Sequence, residues 1–267
     1  MKHLQQRRRS KKPLIVCVLL LLVVGSAAYW KFGLTHNTSR ASGTVAATSG
    51  SGKQTAAASS FDKTTHSLTD PASLWIVVNK TRPLAPKNYT PPNLVVPNIA
   101  LRSNITSTEK YVSVTMAGPL ETMVAAAKQD GVHLDLESGY RSYSFQVTLY
   151  NSYVKQQGQA VADSQSARPG YSEHQTGLAA DLGGTSNPSC NVEDCFSDTP
   201  EGKWLAANAY KYGFIIRYPA DKVKVTGYIY EPWHIRYIGT DLSNELHNKG
   251  IETLEEFFGL PAAPDYK

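Results

Sequence analysis

Two short segments of this chain carry side chains that could hold a divalent metal ion. Residues 172–181 read Ser-Glu-His-Gln-Thr-Gly-Leu-Ala-Ala-Asp and offer an imidazole at His174 and a carboxylate at Asp181. Residues 231–234 read Glu-Pro-Trp-His and end in a second imidazole. Zinc held by two histidines and one carboxylate, with its fourth position open to water, is a catalytic arrangement. The two segments together predict a Zn²⁺ site at His174, Asp181 and His234.

The backbone must bring His174 and Asp181 together although they are seven residues apart. In a helix this spacing is about two turns, which is too far for both side chains to bind one ion. In a loop that turns into a strand, the same spacing lets both side chains reach one point. Gly177 supplies a permissive backbone for such a turn, and residues 178–180 (Leu-Ala-Ala) predict a short buried strand that delivers Asp181.

Glu231 lies three residues before His234, where a carboxylate could take the proton from a metal-bound water. A single histidine is more often a core or surface residue than a ligand, so His174 alone would not predict a metal site. Two histidines, an aspartate and a glutamate in clusters interrupted by Gly or Pro favour a metal centre.

The N-terminal 30 residues have the pattern of a membrane-directed segment. Residues 1–12 contain six Lys or Arg and no acid, and residues 13–30 are an uncharged run of 18 rich in Leu and Val. That length suits a short membrane-spanning helix or a long signal-peptide core. We expect an uncleaved single-pass anchor with a cytoplasmic basic segment and the remainder outside. Cleavage at the small residues 26–28, which would give a secreted protein, is the alternative.

The net charge of +5 comes from this N-terminal segment. Seven of the 27 Lys and Arg lie within residues 1–33, which hold no acid, so the other 20 face 22 acidic residues. The basic excess therefore indicates the orientation of the N-terminal segment in the membrane, and we expect no nucleic-acid partner.

The next boundary is a change of composition. Residues 31–70 are rich in Ser, Thr, Ala and Gly, which cannot bury enough surface to fold, so we expect a flexible linker there. Residues 71–267 form the predicted catalytic domain. Helices and short strands alternate in it without the rhythm of a doubly wound sheet, which favours the α+β class. Predicted helices cover 119–129, 144–155 (with a possible Ser144 cap), 201–212 and, as one or two helices, 242–258. Predicted strands cover 132–137 (half-buried), 214–217 and 234–237, and residues 75–80 form a strand or a buried run.

Two further features are interpreted on local pattern alone. His133 falls on the polar face of an alternating strand, so we expect it to be solvated or hydrogen-bonded. Cys190 and Cys195 flank a polar loop on the side of the membrane expected to be oxidising, which favours a loop-closing disulfide. A cysteine metal site is the weaker interpretation because no second Cys pair completes it.

Three motifs, taken together and in order, resemble the VanY-like D-alanyl-D-alanine carboxypeptidases. They are Ser138-Gly-Tyr-Arg141-Ser followed by Gln146, then Ser172-x-His174-x-x-Gly-x-Ala-x-Asp181, then Glu231-Pro-Trp-His234. The similarity covers roughly residues 71–255. The wider zinc peptidase group also includes L,D-carboxypeptidases, D,D-dipeptidases and some phage endolysins. The resemblance implies a small antiparallel sheet with packed helices.

The resemblance also implies roles for individual residues. His174, Asp181 and His234 match the zinc ligands, and Glu231 matches the catalytic base. Arg141 matches an arginine placed near the scissile carbonyl and the substrate carboxylate, although a surface salt bridge is its alternative role. Residues that match positions lining the peptide-binding cleft are Ser138, Gln146 and Ser172. Tyr140 and Trp233 are expected to form walls and packing.

These features lead to the expectation of a monomeric, membrane-tethered zinc carboxypeptidase that removes the terminal D-alanine from peptidoglycan stem peptides. The motifs are shared with L,D-carboxypeptidases, which act on the tetrapeptide stem, so the sequence leaves that alternative open. An endopeptidase that cuts cross-links is a third possibility. A non-catalytic wall-binding module is a fourth, but it would need neither Glu231 nor Arg141.

Overall fold

A five-stranded sheet organises the residues described by the computed structural model, which are 61–105 and 108–267. Its order is β2-β4-β5-β7-β6, in which β2 and β4 are parallel and every other neighbouring pair is antiparallel. A separate antiparallel pair joins β1 to β3. The strands are β1 (Leu94–Val95), β2 (Ala100–Leu101), β3 (Val112–Ser113), β4 (Leu134–Ser138), β5 (Ala179–Gly184), β6 (Phe214–Ile216) and β7 (His234–Tyr237).

Helices pack around this sheet, and the combination confirms the α+β class. The longest are α1 (Val114–Gln129), α2 (Tyr143–Gln157) and α6 (Thr240–Lys249). The shorter ones are α3 (Gln159–Gln165), α4 (Pro200–Asn208), α5 (Val223–Thr226) and α7 (Leu254–Phe258). The predicted terminal helix is thus two helices, α6 and α7, and the helix predicted over 201–212 is α4 continued by a 3-10 turn, Ala209–Tyr212.

The predicted start of α1 is wrong. Proline is common in the first turn of a helix, which placed the start at Pro119, but the helix begins at Val114 and contains Pro119. Ser113 caps it, because its side chain accepts a hydrogen bond from the Thr115 amide. Proline inside a helix removes one backbone hydrogen bond, here the one to Thr115. The apolar face of α1 in the core outweighs that loss.

Other boundaries differ in smaller ways. The cap of α2 is Ser142, whose hydroxyl accepts from the Phe145 amide, so the prediction of Ser144 is wrong. The run at 75–80 is buried but is not a strand. His133 is exposed, as predicted. β4 runs to Ser138 and is almost wholly buried instead of half-buried, because the Asn191 side chain covers its outer end with a hydrogen bond to the Glu137 carboxylate.

Two apolar cores pack against the sheet, and they lie on opposite faces of its edge strand β6. One lies between the sheet and α1 and includes Met116, Leu120 and Leu182. The other lies under α6 and α7 and includes Ile215 and Phe257. Successive residues of a strand point to opposite faces, so β6 sends alternate side chains into the two cores. This edge of the sheet is therefore held from both sides.

Residues 61–70, which the composition assigned to the linker, pack on the second core. The Phe61 ring stacks on Trp75 at 5.5 Å and meets the edge of Phe257 at 5.6 Å between ring centroids. Leu68 packs on the same cluster. Residues 61–70 therefore belong to the folded part of the described chain. Besides the two apolar side chains, the Leu68 carbonyl holds this segment by accepting hydrogen bonds from the Val77 amide and from Arg82 Nη2.

The predicted basic segment 1–12, the anchor or signal 13–30 and residues 31–60 of the linker lie outside the described residues. In the described ranges, no helix combines the length and apolarity that crossing a membrane requires.

Gly177 ends the turn that carries His174, as predicted, and its conformation is left-handed, with φ at +70°. A Cβ atom there would lie 3.1 Å from both the Leu94 side chain and the Ser113 amide nitrogen. Gly250 has a similar φ of +62° at the end of α6, but a Cβ there would meet no atom within 4 Å.

These two glycines make a matched test. The left-handed conformation costs an L residue about 1–2 kcal/mol, so Gly250→Ala should lower the free energy of unfolding by about that much. Gly177→Ala adds the close contacts, which cost a further ~1 kcal/mol or more. Urea titration would measure the free energy of unfolding of both variants. Equal losses of stability would show that the atoms around Gly177 move aside for the added methyl group at no free-energy cost.

Candidate metal centre and peptide cleft

The strand register brings predicted site residues into one row across the sheet. Asp181 of β5 lies opposite His234 of β7 on one side and opposite Ser138 of β4 on the other. Directly paired residues in antiparallel strands have side chains only about 5 Å apart on the same face. Two of the three predicted ligands are thus placed by the sheet itself.

His174 reaches the same point from the 3-10 turn Glu173–Thr176, which precedes β5. Its Nδ1 lies 2.6 Å from the Gly139 carbonyl oxygen. Because a carbonyl only accepts, Nδ1–H donates, and Nε2 is left with a lone pair. Gly139 must be a glycine, since a Cβ there would lie 2.2 Å from the Tyr111 carbonyl oxygen. Nε2 then lies 3.3 Å from Oδ2 of Asp181.

The three predicted ligands form one buried cluster. Potential ligand atoms of His174, Asp181 and His234 all lie within 4.8 Å of one another. His234 Nδ1 lies 3.0 Å from Asp181 Oδ1, and the two imidazole rings meet edge to face at 4.8 Å between centroids. Two imidazoles and one carboxylate are a catalytic zinc donor set. The residues present therefore fit a divalent cation such as Zn²⁺.

The electrostatics of the cluster also favour a cation. Burial alone would lower the pKa of His234, but the carboxylates of Asp181, Glu173 and Glu231 raise it to about 9. Burial would likewise raise the pKa of Asp181, yet the two histidines and Arg141 hold it well below its usual range. The carboxylates that stabilise the charged form of His234 would likewise stabilise a bound cation.

The pKa of His174 shifts in the opposite direction from that of His234, because His174 faces the guanidinium of Arg141. Burial, reinforced by the positive charge of Arg141, lowers the pKa of His174. The neutral imidazole that results is the form that binds a metal.

Glu231 lies beside the cluster on the turn before β7. Its carboxylate Oε2 is 3.6 Å from His234 Nδ1, and its amide donates to the Tyr218 carbonyl. Burial, together with the charges of Asp181 and Glu173, raises the pKa of Glu231 to about 7 against the opposing effect of His234 and Arg141. A carboxylate with a pKa near 7 can both accept and return a proton near neutral pH.

Arg141 forms an inner ion pair instead of a surface salt bridge. Its Nη2 lies 2.7 Å from Asp181 Oδ2 and 2.6 Å from His174 Nε2, and its side chain is 15% exposed. Its positive charge therefore faces the metal cluster from the open side.

The predicted cleft residues take different positions. Ser172 is buried and lines the cleft. Ser138 lies behind Arg141, whose Nε donates to its hydroxyl at 3.1 Å. Gln146 lies behind the wall, where its amide donates to Ser166 Oγ and the Ala167 carbonyl. Ser138 and Gln146 thus support groups that face the cleft, and their roles toward a substrate stay predictions.

The cleft that opens onto the cluster encloses about 100 Å³. Tyr140 is buried without lining it, whereas Trp233 both lines it and packs in the core. Besides the ligands, Glu231 and Arg141, its lining residues are Tyr153, Gln165, Ser166, Ala167, Ser172, Glu173, Val192, Tyr218, Tyr228 and Trp233. A larger groove of about 630 Å³ beside α6 shares no residue with this cleft, so cavity size alone would have pointed away from the site.

Sequence reasoning missed a buried ionic network behind the ligands. Glu173, Arg217, Arg236 and Glu255 are all buried, and each arginine side chain is fully enclosed. Arg217 bridges Glu173 and Glu255, and Arg236 also binds Glu173. Two features of the sequence could have indicated this network. Glu173 lies between the predicted site residues Ser172 and His174, and both arginines lie in apolar strand segments, where an unpaired charge would be costly.

The predicted Cys190–Cys195 disulfide is confirmed. It closes a loop that brings Val192 to the cleft, where this apolar side chain is 40% exposed. Val192 has a φ of +59°, which is rare for a β-branched residue. Asn191 ties the loop to β5, since its side chain exchanges hydrogen bonds with Gly184. The loop thus forms one rim of the cleft.

The disulfide should contribute measurably to stability. Its cysteines are five residues apart, and closing so short a loop in the unfolded chain is worth about 2 kcal/mol. Replacing both cysteines with serine should lower the free energy of unfolding by about that amount in a urea titration. The reduced wild-type protein is the control and should unfold at the same urea concentration as the variant. Free thiols titrated in the denatured, unreduced domain would contradict the pairing.

The chain matches one family model, described as VanY: D-alanyl-D-alanine carboxypeptidase, over residues 109–240. The YodJ protein of Bacillus subtilis (strain 168) is 41% identical over 191 residues, which span 72% of this chain and 69% of YodJ.

Solved structures of carboxypeptidases are also similar to this chain. The LD-carboxypeptidase LdcB superposes with a TM-score of 0.66 at 42% identity, covering 71% of this chain and 87% of LdcB. A mutant of the vancomycin-resistance D,D-pentapeptidase VanY from a VanB-type cassette, solved with Zn(II), superposes with a TM-score of 0.56 at 31% identity. That match covers 68% of this chain and 97% of the other.

Proposed function

This chain belongs to the VanY family of carboxypeptidases, and from that premise we propose that it is a zinc-dependent enzyme that removes the terminal D-alanine from peptidoglycan stem peptides. The observation that carries the proposal is the buried His174–Asp181–His234 cluster with Glu231 beside it. A scaffold that only bound cell wall would need no proton-accepting carboxylate next to a metal site.

In this proposal the chain's own residues divide the work. His174, Asp181 and His234 would hold Zn²⁺, which when bound would lower the pKa of a water ligand to about 7 and polarise a carbonyl group. Glu231 accepts the proton of the attacking water and returns it to the leaving amine. Its pKa near 7 suits both steps.

Arg141 supplies the positive charge that would bind the carboxylate of the substrate. It is the guanidinium in the cleft lining, and a guanidinium binds carboxylates well because its donors match their geometry. The same charge can stabilise an oxyanion formed at the scissile carbonyl, an effect typically worth a hundredfold or more in rate. The small cleft favours a substrate that inserts only the small end of a peptide.

Removal of D-alanine from the tetrapeptide stem is the second candidate. Its support is the similarity to the LD-carboxypeptidase LdcB, whose identity of 42% exceeds the 31% of the D,D-enzyme. Both reactions use the same metal and base chemistry, so the cleft rim decides between them.

We further propose that the domain acts outside the cytoplasm, held at the membrane by residues 13–30, and works as a monomer. The basic residues 1–12 support this orientation. The Cys190–Cys195 disulfide is also typical of an oxidising compartment.

Free D-alanine release tests the function directly. The ectodomain (residues 57–267), loaded with zinc, should release D-alanine from a stem pentapeptide ending in D-Ala-D-Ala. Release from the matching tetrapeptide alone would instead assign the L,D-activity. If zinc is bound and neither peptide is cleaved, the carboxypeptidase proposal fails in favour of an endopeptidase or a wall-binding module.

Replacing the base separates chemistry from metal binding. Glu231→Gln should lower kcat by about 10²–10⁴-fold, the usual contribution of a general base, while one zinc per chain remains bound. Glu252→Gln changes an exposed carboxylate between α6 and α7 that does not line the cleft and is the control, with kcat unchanged. Turnover by Glu231→Gln at the wild-type rate would remove Glu231 from the base role.

A further inference from the structure

Glu173 divides its carboxylate between two environments. Oε1 accepts hydrogen bonds from Arg217 Nε at 2.9 Å and from Arg236 Nη1 at 2.8 Å. Oε2 is buried and has no hydrogen-bond partner in the described part of the chain. Oε1 is therefore held by two arginines, whereas Oε2 binds neither of them.

The free oxygen faces a metal-ligand histidine. Oε2 lies 3.7 Å from Nε2 of His234, and that nitrogen is also buried without a partner among the described residues. Buried polar atoms without partners are rare because each costs free energy. Two such atoms that face each other just beyond hydrogen-bond distance are best explained as one interaction that tightens when His234 takes its working position.

The other nitrogen of His234 identifies the required tautomer. Nδ1 lies 3.0 Å from Asp181 and 3.6 Å from Glu231, so it is the atom that faces the metal cluster. A neutral imidazole binds a metal through its unprotonated nitrogen and carries its proton on the other. His234 must therefore keep its proton on Nε2, which is the nitrogen that faces Glu173.

We propose that Glu173 is the positioning residue of the metal centre: its Oε2 accepts the Nε2–H of His234 and so keeps Nδ1 free to bind zinc. The inference rests on the proposed zinc enzyme but adds a residue that touches neither metal nor substrate. Outer carboxylates that orient metal-bound histidines are worth about 10–100-fold in metal affinity.

The arginines explain how Glu173 keeps its direction. Arg217 and Arg236 both donate to Oε1, so the carboxylate cannot rotate without losing two charge-assisted bonds. Glu255 balances the second positive charge through a bidentate pair with Arg217 at 3.0 and 2.7 Å. Two arginines and two glutamates thus form a neutral unit, in which only Glu173 reaches His234.

That unit supplies a matched control. Glu173 and Glu255 are both buried and both bind Arg217, so glutamine at either position removes one charge from the same network. In Glu173→Gln the amide oxygen should stay with the arginines and its NH₂ should face His234. An NH₂ group there favours the tautomer with the proton on Nδ1, which cannot bind zinc.

The experiment compares zinc dissociation constants by chelator competition for the wild-type ectodomain, Glu173→Gln and Glu255→Gln, each shown to be folded by circular dichroism. Glu173→Gln should weaken zinc binding about 10–100-fold, whereas Glu255→Gln should lower stability and leave zinc affinity unchanged. Equal weakening in both variants, or none in Glu173→Gln, would overturn the inference.

A second measurement does not depend on a variant folding. In the zinc-loaded wild-type protein labelled with ¹⁵N-histidine, the His234 proton should be found on Nε2 and be protected from exchange. A proton on Nδ1 would overturn the inference while zinc binding stands. A wild-type protein that binds no zinc would overturn the proposed function as well, so the two failures are distinguishable.

Discussion

The register between β5 and β7 is the constraint on which the site depends. It places Asp181 opposite His234, and β4 extends the row to Ser138. A slip of one residue in a strand pair would turn His234 to the other face of the sheet. Because Ile235 of the same strand packs in the core on the opposite face, such a slip would also remove that side chain from the core. The metal cluster is therefore as well defined as the sheet.

β7, the strand that holds His234, also places a charged side chain in the protein interior beneath the ligands. Arg236 follows His234 by two residues on β7, and it meets Arg217 at the carboxylate of Glu173. Burying four charged groups has a large desolvation cost, which their mutual pairing only offsets. Such a network is better understood as a means of orientation than as a source of stability. Here it directs one carboxylate oxygen toward one imidazole nitrogen.

The walls of the cleft are built differently from its floor. The ligands come from strands and one tight turn, whereas the rim comes from the disulfide loop with Val192 and from residues 165–167, which Gln146 supports. Loops accept changes in sequence more readily than paired strands. In this chain the sheet thus places the predicted metal ligands, and we propose that the loops around the cleft set the choice between D,D- and L,D-substrates.

From residue type and short-range spacing, the sequence by itself predicted the α+β class, the disulfide and a cluster of His174, Asp181 and His234 with Glu231 beside it. It also predicted a turn at Gly177, whose backbone is permissive. It did not determine the start of α1, where the tertiary packing of an apolar face overrode the local signal of Pro119. Nor did it show that Glu173, Arg217, Arg236 and Glu255 meet, because their contacts join segments up to 63 residues apart in the sequence. Only the tertiary structure brings those four charges together behind His234, since a buried charge can be tolerated only where its partners converge in space.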